Sequence, residues 1–298
     1  MNLVDEIKAI VKSGGILTKL IAINLAVFLA VNIIGVIFFL SASQWSTGTV
    51  VKIFAVPASL SALAVKPWTL FTYMFLHEGF LHILFNILWL YWFGIIFLRY
   101  FSQNQLLGLY IIGGLFGGLF YILSFNIFPV FKPHVENSVA LGASASVIAI
   151  VIATALYIPN YSVNLIFLGP VKLKWIALVM ILLDIIGITS SNSGGHLAHL
   201  GGAVMGWIFI SAYKKRIDLT KFVGWFKNIF KFKPRRKKKS HLHVTYRRGE
   251  TEYDYNARKR ENQKQLDAIL EKIKKSGYDN LTAEEKRILF DSSKKRDL

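Results

Sequence analysis

No cysteine occurs anywhere in the 298 residues, so neither a disulfide nor a catalytic or metal-binding thiol is open to this chain. That absence leaves the compartment undetermined. Acidic residues are almost as scarce over most of the length: residues 1–213 hold five, namely Asp5, Glu6, Glu78, Glu136 and Asp184, against nine lysines and arginines. The zinc-protease pattern H-E-x-x-H is missing, because His77-Glu78 is followed by His82 one position too late. A secretory leader pattern is also lacking: Asp5 and Glu6 come early, and no small-residue cleavage site follows the first apolar run.

What the chain has instead is hydrophobicity. Fifty-four per cent of its residues are hydrophobic and its mean hydropathy is +0.46, beyond what soluble domains reach over such a length. A membrane span needs ~20 mostly apolar residues. Six segments approach that, at about 17–40, 79–99, 105–125, 140–158, 174–189 and 195–213. The expected fold class is an all-α membrane protein, a six-transmembrane-helix bundle with a short helical cytoplasmic C-terminal tail. The expected organisation is a cytoplasmic N-terminal segment (1–16), a membrane domain (17–213), a basic linker (214–254) and a small helical hairpin (255–298).

Charge sets the orientation. The net charge of +18 is concentrated in residues 214–298, which hold 26 basic and 12 acidic residues. With the N-terminus inside, Lys8, Lys12, Lys19, Arg99, Lys172, Lys174 and the whole tail face the cytoplasm, and only Lys52, Lys66 and Lys132 lie outside. The loop 41–78 is apolar and aromatic (Ile53, Phe54, Trp68, Phe71), and is expected to lie in the interface or fold onto the bundle. The run Lys233-Pro234-Arg235-Arg236-Lys237-Lys238-Lys239 follows a membrane exit, so it reads as a topology anchor drawn to anionic lipid rather than a nucleic-acid site. Beyond it, 255–276 is an amphipathic helix with Leu266, Ile269, Leu270 and Ile273 on one face. Gly277 breaks that helix, and Thr282-Ala283-Glu284-Glu285 caps a second one. The tail offers contacts to anionic lipid or to a cytoplasmic partner, and nothing catalytic.

Polar groups are costly in a bilayer and mark functional sites. His82 and Asn86 lie near the start of the second segment, Ser144 near the start of the fourth and His199 near the start of the sixth. In the topology above these three segments run inward from the outer face, which places all four residues roughly 5–10 Å below it. A serine hydroxyl needs a neighbouring base, usually histidine. Attack on an amide makes an oxyanion that needs preorganised donors, which Asn86, His82 and the Ser144 N–H are placed to supply. Gly202 and Gly206 follow His199 as a small-residue stripe; if it packs on the fourth segment, serine and histidine meet. A lone serine in an apolar helix usually back-bonds, and a lone histidine is usually a satisfied core residue. At one matched depth, and together with Asn86, the catalytic reading outweighs both. Zinc is the chemical competitor through His196 and His199 or His77 and His82, but no cysteine or well-placed carboxylate completes a set, so no metal and no cofactor are expected. Asp184, deep in the fifth segment and close in depth to His199, is given a supporting role within a two-residue mechanism.

Trp68, the run His77-x4-His82-x3-Asn86, Gly142-x-Ser144 and Ala198-His199-x2-Gly202-x3-Gly206 together resemble the rhomboid family of intramembrane serine proteases, over about 66–213. The resemblance implies Ser144 as nucleophile and His199 as general base in a dyad without an acidic partner, with His82, Asn86 and the Ser144 N–H lining an oxyanion hole. It further implies a six-helix, rhomboid-like bundle, a water-filled cavity open to the outer face, and a fifth span that forms part of a lateral gate. The substrates would be transmembrane proteins, cut in or near their spans. Ala145 stands where the family usually has a second glycine, and Ile148 where a tyrosine often packs on the histidine. The alternative is an inactive relative that binds membrane helices and steers their trafficking or stability. A transporter is disfavoured, since no internal repeat is visible. The six-span plan without organelle-targeting features points to a bacterial plasma membrane.

Overall fold

The computed structural model describes residues 14–165, 169–224 and 252–294. Most of the N-terminal segment and the basic run 233–239 therefore lie outside the described residues. The chain divides into two units, Met1–Phe232 and Lys233–Leu298.

In the first unit a helix occupies each of the six apolar segments. These are α1 (Ile16–Leu40), α2 (Phe80–Leu98), α3 (Gln103–Ile127), α4 (Ser144–Tyr157), α5 (Leu173–Gly187) and α6 (Ser193–Lys214). Among the described residues, α1, α2 and α3 are long and apolar enough to cross a membrane. The protein is a multi-pass membrane protein built mainly of helices.

The centre of the bundle is α4. Eleven of its fourteen residues are buried, against four in the fifteen of α5 and four in the twenty-five of α1. A helix apolar on every side is wrapped by other helices or by lipid; α4 is wrapped by α2, α3, α5 and α6, while α1 and α5 turn most of their surface outward. Small residues set the spacing. A Cβ at Gly202 would overlap the Ala145 carbonyl oxygen, and one at Gly206 the Ala149 carbonyl oxygen. The stripe on α6 thus packs backbone to backbone against α4, the close approach glycine permits in membranes. On the other side, Gly113 of α3 faces Ala149 and Gly117 faces Ala145. Ala145 fits without a second glycine because Gly117 has no side chain there.

The fourth helix begins later than hydropathy suggests, at Ser144 rather than 140. Val139–Ala140 (β2) pairs antiparallel with Val56–Pro57 (β1), and Gly142 takes φ +129°, a conformation that side chains resist. The Gly142 N–H donates to the Tyr73 carbonyl at 2.9 Å, which fixes the entry to the helix. The loop 41–78 folds onto the bundle through this pairing, with Val56 and Ala58 buried, while Trp68 and Phe71 remain half exposed. Trp68 Nε1 donates to the Ile53 carbonyl at 3.0 Å and ties the loop to itself. The buried Asn24 of α1 donates to Tyr110 of α3 at 3.1 Å, and Tyr110 in turn donates to the Met74 carbonyl at 3.0 Å. This chain of bonds holds an otherwise lipid-like helix to the rest.

The second unit is a helical hairpin of α7 (Glu252–Ser276) and α8 (Ala283–Lys294), with Ile269 and Leu281 buried. The cap read from the sequence forms: the Thr282 N–H donates to Glu285 at 2.7 Å and the Glu285 N–H donates back to Thr282 Oγ1 at 3.3 Å. Lys272 reaches the same carboxylate at 2.8 and 2.9 Å. Those bonds, Lys272 first, hold the Glu285 carboxyl down at about 2. A depressed carboxyl pKa adds stability above its unfolded value and loses it as pH falls through the folded one. Amide protection factors at the start of α8, measured against intrinsic exchange at each pH, are therefore expected to hold down to about pH 4 and to fall between there and about pH 2. Glu285→Gln should remove that step.

Candidate active site

Ser144 is the first residue of α4, so its N–H has no carbonyl of its own helix to bond and is free to donate elsewhere. Its hydroxyl lies 2.7 Å from Nε2 of His199, contributed by the second turn of α6. The other ring nitrogen of His199, Nδ1, lies 2.7 Å from Asp184 Oδ1 on α5. A carboxylate only accepts, so the tautomer that satisfies both contacts carries its proton on Nδ1 and turns the Nε2 lone pair to the serine. Three helices supply one residue each, and the bonds connect them in series.

His82 and Asn86 come from the first two turns of α2. A Cβ at Gly142 would sit 2.9 Å from His82 Nε2 and 3.4 Å from Ser144 Oγ, so the imidazole and the hydroxyl flank one gap that glycine leaves open. Asn86 is buried, and its amide donates to the His82 carbonyl at 2.8 Å, one turn back along the same helix. That bond uses one amide hydrogen and leaves the second for another acceptor. His77, in the loop before α2, lies edge-on to His82 with ring centroids 5.2 Å apart, so these two imidazoles do meet although their spacing suits no single helix.

Two expectations change. The absence of an acidic partner does not hold for the geometry, because Asp184 is buried and bonded directly to His199. The absence of a well-placed carboxylate beside the histidine pair fails as well: Asp184 Oδ1 also bonds His196 Nδ1, at 2.9 Å. A signal existed in the sequence, since Asp184 shares the depth of His199 and His196 precedes His199 by one turn. The rotation of α5 about its own axis was the missing quantity. His196 fits against α5 because Gly187, one turn after Asp184, has no side chain; a Cβ there would run into the ring.

Comparison with known proteins follows the same stretch of chain. A family model, the Rhomboid domain, matches residues 64–216, and a family of unknown function (DUF6576) matches 250–295, the hairpin. RHOMBOID-like protein 12, mitochondrial, from Arabidopsis thaliana is 33% identical over 156 residues. That alignment takes in 49% of this chain and 46% of the relative, so the chain spans about half the length of the curated relative it matches. The Rhomboid match covers just over half of the chain and runs from the loop before α2 to the end of α6. By that match, this multi-pass membrane protein belongs to the rhomboid family.

Proposed function

We propose that the protein is an intramembrane serine endopeptidase that cuts transmembrane proteins in or near their membrane segments. The observation that carries this reading is the 2.7 Å contact between Ser144 Oγ and His199 Nε2 at the partly buried start of a helix. Ser144 attacks the scissile carbonyl, and His199 takes the hydroxyl proton and later passes it to the leaving amine. Asp184 accepts the Nδ1–H and so holds the imidazole in the tautomer that can act as base, a positioning role. The Ser144 N–H, the free hydrogen of the Asn86 amide and His82 receive the oxyanion. Neither ATP nor metal enters the reaction.

The bundle is read as six spans with both termini in the cytoplasm of a bacterial plasma membrane. The distribution of basic residues supports that orientation. At fourteen residues α4 extends only ~21 Å, so its first residue need not reach the outer surface, and water rather than lipid must fill the space above it. Water there serves as the second nucleophile, which releases the acyl enzyme.

A fluorescent fluorophosphonate tests the reading without a known substrate. Purified wild type in detergent is expected to label at Ser144, and Ser144→Ala and His199→Ala are each expected to lose at least about 99% of that signal. A folded wild type that does not label would favour the inactive helix-binding relative.

A further inference from the structure

We propose that Asp184, His196 and His199 form a binding site for one zinc-class divalent cation, and that a cation held there silences the base. The silencing half rests on the protease reading; the binding half does not. One ring nitrogen of His196, one of His199 and an oxygen of Asp184 all lie within 4.8 Å of one another. Both histidines direct Nδ1 to the same oxygen, at 2.9 and 2.7 Å. Two imidazoles and one carboxylate with a fourth position left to water is a donor set that zinc accepts.

The dimensions fit. Ligand atoms at 2.0–2.2 Å from a tetrahedral zinc stand roughly 3.4 Å apart, so the two histidine–carboxylate contacts, at 2.9 and 2.7 Å, need to widen by only about half an ångström. His196 and His199 are one turn apart on α6, with ring centroids 5.8 Å apart and planes at 76°, so their Nδ1 atoms converge on the carboxylate instead of stacking. The two rings are 25% and 20% exposed while the Asp184 side chain is 9% exposed. The cation thus arrives from the histidine side and meets a carboxylate already fixed in the bundle. The slot left by Gly187 keeps the His196 ring at that spot.

The chemical consequence follows from imidazole tautomers. A ring nitrogen that binds a metal must offer its lone pair, so the Nδ1 proton of His199 moves to Nε2. Nε2–H then donates to Ser144 Oγ and can no longer accept the hydroxyl proton. Asp184 is diverted from the imidazole to the cation in the same event. The cation competes with catalysis; it supplies none.

Cobalt(II) alone is a direct probe, because its visible absorption reports tetrahedral binding independently of turnover. The full chain, free of any oligohistidine tag and stripped with chelator, is titrated with cobalt in detergent. Wild type and Ser144→Ala are expected to give the same saturating band at one equivalent, and His196→Gln to lose it. Zinc is expected to slow fluorophosphonate labelling of wild type by at least about tenfold. His196→Gln, measured against its own metal-free rate, should need at least about tenfold more zinc for the same effect. A missing cobalt band overturns the site, and so does a band that survives both His196→Gln and Asp184→Asn, which would place the metal elsewhere, for instance at His77 and His82. A normal band with labelling untouched by zinc overturns the silencing. Ser144→Ala cannot label yet should still bind cobalt, so failure of the protease reading and failure of the metal site are told apart.

Discussion

Asp184→Asn is expected to lower kcat by at least about 100-fold while KM and the thermal unfolding midpoint barely move. Asparagine has the shape of aspartate and can still bond the rings of His196 and His199, so the packing of α5 on α6 survives. What is lost is charge and tautomer control. A neutral amide does not stabilise the imidazolium formed during attack, and its NH2 end favours the histidine form that carries its proton on Nε2, facing the serine. The measurement is steady-state cleavage of a transmembrane substrate in detergent or proteoliposomes, with thermal unfolding in parallel. A kcat within about threefold of wild type would make the carboxylate dispensable and return the mechanism to a bare Ser–His pair.

The second large effect is structural in origin. Gly202→Ala puts one methyl group where the Ala145 carbonyl oxygen already lies. Backbone cannot rotate away as a side chain would, so α4 and α6 must separate. Overpacking of this kind costs about 1–3 kcal/mol. The catalytic cost is larger, because Ser144 and His199 sit one residue before Ala145 and three before Gly202, on the same two helices. A shift of about 1 Å between reacting groups can cost about 100-fold in rate. Gly224→Ala is the control, as nothing lies within 4 Å of a Cβ there. Equal labelling rates for the two variants would mean that the bundle absorbs the methyl by moving something other than the site.

Much of this arrangement was legible before any coordinates. Hydropathy located all six helices within a few residues, since lipid-length apolar runs leave little choice of secondary structure. A shared level for Ser144 and His199 was expected from counting residues along the apolar segments, and their contact agrees with it. Gly202 and Gly206 identified the face of α6 that lies against α4. Other features were out of reach. The pairing of Val56 with Ala140 joins residues far apart in sequence through two-residue strands that carry no alternation to read. The rotation of α5 is equally silent in hydropathy, because that helix is apolar nearly all round and only Asp184 marks a direction. The meeting of Asp184 with two histidines therefore had to be observed.

The order in which Ser144, Asp184 and His199 occur along the chain has a consequence for biogenesis. Ribosomes deliver helices from the N-terminus onward. When α4 enters the bilayer, Ser144 is an ordinary hydroxyl with no base; when α5 follows, Asp184 arrives with nothing to orient. Only with the insertion of α6 does His199 close the circuit between them. On the proposed protease reading, a nascent chain stalled before that point has no base beside its serine, so newly inserted membrane helices share the bilayer with it safely until assembly is finished.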